Sequence, residues 1–97
     1  FWQALLAHKL LSAETTAHLL APQTATGSPP PYDHYGRGIW IEAGVQGIRK
    51  HFVEGSDPGV AFRSAVYPAE GLTLTILANT GRTLWQLFRE IEALVAP

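Results

Sequence analysis

Leu72-Thr73-Leu74-Thr75-Ile76-Leu77-Ala78-Asn79-Thr80-Gly81-Arg82-Thr83-Leu84-Trp85-Gln86-Leu87-Phe88 changes period in its middle. Up to Ala78 the side chains alternate, with Leu72, Leu74 and Ile76 on one face and Thr73, Thr75 and Leu77 on the other, which is a strand. The Leu77 side is part apolar, so the strand is expected to be covered on both faces, as in the centre of a sheet. Asn79-Thr80-Gly81 breaks the pattern. Beyond it Leu84, Leu87, Phe88, Ile91, Leu94 and Val95 recur at helical spacing, with Gln86, Arg89, Glu90 and Glu92 opposite them. A helix from about Arg82 to Val95 is therefore expected to lie on the sheet through its Leu84/Phe88/Ile91/Val95 stripe.

Working back toward the N-terminus, Pro68-Ala69-Glu70-Gly71 is a turn and Val60 to Tyr67 a strand. Gly55-Ser56-Asp57-Pro58-Gly59 reads as a tight loop, and Ile48 to Glu54 alternates as a further strand. Gly44 and Gly47 bracket a turn, and Tyr35 to Glu42 is rich in β-formers. Gln23-Thr24-Ala25-Thr26-Gly27-Ser28-Pro29-Pro30-Pro31 is small, polar and Pro-rich, so residues 22–34 read as an irregular linker. Ser12 is the expected N-cap of a helix from Ala13 to about Ala21, ended by Pro22. Residues 1–10 read as a first helix, with Trp2, Leu5, Leu6 and Lys9 on one side. The expected organisation is one partial domain over 1–97: 1–21 helical, 22–34 linker, and 35–97 an antiparallel meander with a C-terminal helix packed on it. This is an α+β architecture.

Composition narrows the function classes. Hydrophobic residues make up 46% and charged residues 15%, the latter well under the usual ~25%. Low charge implies that much of the surface is meant to be covered. With Lys+Arg 7 against Asp+Glu 8 there is no basic excess for phosphates, and nucleic acid is not an expected partner. No apolar run reaches the ~20 residues of a membrane span. The absence of Cys excludes disulfides and a thiol nucleophile. The apolar, uncapped start at Phe1-Trp2 suggests a segment of a longer protein, left with an apolar surface that drives self-association.

Few residues carry chemistry on their own. His8, His18, His34 and His51 lack metal-ligand spacing, so neither a metal nor another cofactor is expected. Among the acids Glu42, Glu54, Asp57 and Glu70, only Glu54 and Asp57 are close enough in sequence to share a small site, and a solvated loop with a turn-forming Asp57 before Pro58 is the favoured reading over such a site. Gly36-Arg37-Gly38 and Gly44-Val45-Gln46-Gly47 precede no helix, which removes a phosphate-binding reading. Ser12, Ser28, Ser56 and Ser64 belong to no Ser-x-x-Lys. No complete catalytic set is present.

Taken in order, several stretches resemble one family. Tyr35-Gly36-Arg37-Gly38-Ile39-Trp40 is similar to a Tyr-Gly-x-Gly-Trp segment. Val53-Glu54-Gly55-Ser56-Asp57-Pro58-Gly59-Val60-Ala61-Phe62 is similar to a strand entering a Gly-rich loop. Val66-Tyr67-Pro68-Ala69-Glu70-Gly71, followed by Leu72 to Asn79, is similar to a Pro-containing turn and a strand ending in Leu-Thr/Ala-Asn. Leu10-Leu11-Ser12-Ala13-Glu14-Thr15 and Pro22 extend the match to the N-terminal helices. Together they resemble the C-terminal end of serine β-lactamase-like proteins: class C β-lactamases, D-alanyl-D-alanine carboxypeptidases (penicillin-binding-protein-like enzymes) and related esterases.

The resemblance implies a serine hydrolase working by acyl transfer, with its Ser-x-x-Lys nucleophile and a Tyr-x-Asn lying upstream of this chain. It implies no catalytic residue within 1–97. Val53, Glu54, Gly55, Ser56 and Asp57 would border the substrate, a small-molecule ester or amide, as a strand edge offering backbone groups. The partner implied is the rest of the parent polypeptide. The family's Lys or His position is Val53 here and its Thr or Ser position Glu54, so the cation that greets a substrate carboxylate is missing. His51 shares the strand face of Val53 but stands one strand repeat, roughly 6–7 Å, away. An esterase, an amidase of neutral substrates, or a non-catalytic binding or sensing relative fits this departure. An unrelated small α+β interaction module is the remaining reading.

Overall fold

A computed structural model describes residues 1–97. The chain forms helices α1 (Trp2–Leu6) and α2 (Ala13–Leu20), strands β1 (Thr24–Ala25), β2 (His34–Tyr35), β3 (Trp40–Gly44), β4 (Gly47–Asp57), β5 (Val60–Tyr67) and β6 (Leu72–Ala78), and helix α3 (Leu84–Val95). The strands form an antiparallel meander in the order β1-β2-β3-β4-β5-β6. Two compact units divide the chain, Phe1–His51 and Phe52–Pro97, so β4 contributes its first part to one and its second part to the other.

In the N-terminal unit, Ser12 caps α2 as expected, its Oγ accepting from the Thr15 N–H at 3.2 Å. The Arg37 guanidinium donates to the His18 carbonyl at 2.7 Å, satisfying a last-turn carbonyl of the same helix. The first helix is shorter than its periodicity suggests. It ends at Leu6 because His8 takes φ 58°, with His8 N–H donating to Leu5 O at 3.1 Å and Lys9 N–H to Ala4 O at 3.0 Å. That bond pair is a Schellman termination, and a histidine occupies the place where a glycine would announce it.

Residues 22–34 are not wholly irregular. Thr24 and Ala25 pair with Tyr35 and His34, and Thr26 N–H adds a bond to Asp33 O at 3.0 Å. Two-residue strands carry no readable period, which is why the sequence reads as linker there. Tyr35 to Glu42 likewise is not one strand. It folds back at Arg37–Gly38, with Gly36 N–H donating to Ile39 O at 2.8 Å and Tyr35 standing opposite Trp40. Gly36 lies so near α2 that a Cβ there would sit 3.2 Å from Ala21 O. Trp2, Leu5, Ile39 and Ile41 are buried in this unit.

In the C-terminal unit β5 and β6 have the expected bounds and pair from Ala61↔Ala78 to Tyr67↔Leu72. β4 runs on to Asp57, so the loop expected over residues 55–59 shrinks to Pro58–Gly59. Proline fixes the first turn position and Gly59, at φ 82°, supplies the left-handed residue of a type II turn. β6 is at the end of the strand order rather than at its centre, and Leu77 is 77% exposed. α3 packs on β5 and β6. Leu84 and Phe88 are buried as expected, but Leu87, Leu94 and Val95 are exposed. Glu92 turns inward instead and accepts the hydroxyl of the fully buried Tyr67, whose O–H needs a partner away from water.

Candidate functional site

β3 has five residues and β4 eleven, joined through Val45–Gln46. Counting back from that turn, β3 runs out beside the middle of β4. The stretch Val53–Asp57 therefore runs on past the five residues of β3, next to β5 in the strand order. A strand that outruns its neighbour is the kind of place where an extended segment can add to a sheet.

The side chains of this half-strand divide by face. Gly55 lies against Phe62: a Cβ at position 55 would meet the ring's Cε1 at 2.9 Å. Gly55, Ser56 and Asp57 line an open groove of about 510 Å³ together with Val60, Ala61, Phe62, Leu77, Ala78 and Asn79. Its only charged residue is Asp57. Phe62 and Leu77 face each other across β5 and β6, and Val60 is 49% exposed, so the groove is mainly apolar.

Glu54 points to the α3 side of the strand. Its Oε1 accepts from Arg63 Nε at 3.1 Å and Nη2 at 2.8 Å. Arg63 is 5% exposed, and its guanidinium carbon lies 5.1 Å from the Phe52 ring centroid and 4.9 Å from those of Trp85 and Phe88. Glu54 and Asp57 therefore do not form a carboxylate pair: one is spent on a buried cation and the other borders the groove. Val53 is half-buried and is not among the groove-lining residues.

His51 does not supply the missing cation. It is 4% exposed, its Nε2 lies 2.9 Å from the Leu20 carbonyl, and its Nδ1 is buried without a hydrogen-bond partner. The carbonyl makes Nε2 the protonated nitrogen of a neutral ring. Burial depresses the His51 pKa below the usual histidine range, against the opposing pull of the Leu20 carbonyl. Lys50 is also buried, its Nζ 4.0 Å from Glu42 Oε1, and Arg49 holds the other oxygen of the same carboxylate. These cations serve Glu42. His34 Nδ1 bonds Asp33 Oδ2 at 2.9 Å, and the same oxygen accepts from the Ala43 N–H at 3.0 Å. Burial works to raise the Asp33 pKa, but these bonds hold it below the ordinary carboxylate value.

The serines are placed for structure or for contact. Ser12 caps α2, and Ser64 Oγ lies 2.7 Å from Thr75 Oγ1. Ser28 N–H donates to Thr26 Oγ1 at 3.1 Å, and Ser56 lines the groove. No three His, Cys, Asp or Glu side chains converge as a metal site, and no helix is long and apolar enough to cross a membrane. The sequence reading singled out neither Phe62 and Leu77 nor Arg63. Counting residues across the Pro58–Gly59 turn would have found them, since it sets Phe62 opposite Gly55 and Arg63 opposite Glu54.

No model of a known protein family matches the sequence, and no curated protein does. Among solved structures the chain is similar to the penicillin binding protein from Bacillus halodurans, with 38% identity and a TM-score of 0.85. The similarity covers 96% of this chain and 28% of that one, so the chain spans little more than a quarter of its neighbour's length. The resemblance read from Tyr35–Trp40 and Val53–Asn79 is thus met in three dimensions over nearly all the residues.

Proposed function

We propose that this chain, a segment with the serine β-lactamase-like fold, is the substrate-bordering part of a hydrolase acting by acyl transfer on an ester or amide. The nucleophile and its base belong to the rest of the parent polypeptide. The observation that carries the reading is the end of β4, Gly55–Asp57, lining the groove past the last residues of β3, in a segment 38% identical to part of a penicillin binding protein. An amide laid along that edge gains backbone hydrogen bonds as an added strand, and an edge N–H can hold the developing oxyanion.

Charge supports a neutral substrate. Val53 brings no cation, His51 is buried and neutral, and Glu54 is neutralised by Arg63. Asp57 remains to repel a carboxylate. The same absences favour the second reading, a non-catalytic binding or sensing domain that keeps the edge without chemistry.

The exposed apolar side chains Val60 and Leu77 are what the remaining polypeptide is proposed to cover. The test is amide hydrogen exchange on the complete parent polypeptide with an uncharged ester, an uncharged amide and their carboxylated analogues. The neutral ligands should protect amides within Val53–Asp57 and the carboxylated ones should not. Protection confined to other segments would remove the reading.

A further inference from the structure

Val53–Asp57 runs on past the five residues of β3, and side-chain anchors help to fix its position. Gly55 has no side chain, and Ser56 and Asp57 are exposed. The nearest anchored side chain is Glu54, and its anchor is Arg63. The guanidinium is held among the rings of Phe52, Trp85 and Phe88, two of them from α3, with both Nε and Nη2 on a single carboxylate oxygen. A planar fork between aromatic rings fixes direction as well as charge, which a lysine cannot match.

Stability alone does not call for this pair. Replacing a buried ion pair with well-packed apolar side chains is often neutral or stabilising, while removing one partner is strongly destabilising. The arrangement instead gives the edge a defined place relative to α3 and cancels the Glu54 charge next to the groove.

We propose that Arg63 is a positioning residue for the substrate edge: through Glu54 it ties Val53–Asp57 to the Trp85/Phe88 face of α3. This rests on the reading of that edge as substrate-bordering. It adds a residue that touches no substrate.

The test is native-state hydrogen exchange on the chain itself, comparing amides 53–57 with the β6 amides that report global opening. Arg63→Met should speed exchange at 53–57 at least 10-fold more than at Leu74 and Ile76. Arg63→Lys should recover only part of that protection. The double variant R63M/E54L, which removes both charges, should regain most of the global stability while 53–57 still exchange fast. If 53–57 follow β6 in every variant, or if Arg63→Lys matches the wild type, Arg63 is structural only and the proposal falls. The readout uses no substrate. Failure of the parent polypeptide to turn over an ester would remove the proposed function and leave this result standing, and the reverse also holds.

Discussion

Gly55 and Phe62 share one small space on adjacent strands: a Cβ on Gly55 would lie 2.9 Å from Cε1 and 3.4 Å from Cδ1 of the Phe62 ring. The ring is at the groove, so it can swing outward rather than force the backbone apart. Gly55→Ala should therefore cost less than about 1 kcal/mol, the more so because glycine in a strand is itself unfavourable. It should still move the Phe62 ring resonances and partly fill the groove. In a Phe62→Ala background the same change should cost nothing. Chemical denaturation of the two single variants and the double variant measures this coupling.

The Tyr67 hydroxyl donates to the Glu92 carboxylate, joining β5 to α3. Tyr67→Phe leaves the carboxylate without that donor and should cost about 1.5–3 kcal/mol, the range for hydrogen bonds to charged groups. Phe88→Ala removes a fully buried ring from the same helix and should cost about 3–5 kcal/mol. Thermal or urea unfolding decides both. A larger loss from Tyr67→Phe than from Phe88→Ala would contradict the packing of α3.

His51 sets the acid limb of stability. Its pKa is lowered in the folded state, so below the ordinary value of 6.5 the unfolded chain binds the proton that the folded chain refuses. Stability contributed by the neutral ring is full above pH 6.5 and is lost as pH falls through the folded pKa. The slope cannot exceed about 1.4 kcal/mol per pH unit for one proton. His51→Gln should flatten the dependence between pH 7 and pH 5, as read by urea midpoints. An unchanged slope would place the titration elsewhere. Asp33 acts lower on the scale, its bonds to Ala43 and His34 being lost as the carboxylate protonates.

The apolar face around Leu77 and Val60 should make the separate chain associate with itself. Sedimentation should show mass rising with concentration, and Leu77→Asp should restore a monomer. A monodisperse wild-type chain over a wide concentration range would count against this.

Much of the fold is legible in the sequence where side-chain alternation is long enough to be unambiguous. Val60–Tyr67 and Leu72–Ala78 are bounded by Pro-Gly and Pro-x-x-Gly turns, and their limits follow from those residues alone. The misreadings arise where tertiary context overrides a local signal. His8 adopts a left-handed φ without being glycine, and Thr24–Ala25 pair although a proline run follows. Leu77 makes β6 look central, yet the strand has β5 on one side only. At the candidate site, the stretch Val53–Asp57 stands out by its resemblance to a known family. The burial of Arg63 does not, because a lone arginine in an alternating strand is ordinarily solvated and its three aromatic neighbours come from 11 residues upstream and 22–25 residues downstream.

The central claim is that this chain borders the substrate and carries no nucleophile. The direct measurement is mass spectrometry after exposure to an activated phenyl ester, on the chain and on the complete parent polypeptide. The account predicts one acyl group on the parent, mapped by proteolysis to a serine outside residues 1–97, and none on the chain alone. A stoichiometric gain on Ser12, Ser28, Ser56 or Ser64, with turnover above buffer, or a parent that never acylates, would contradict it.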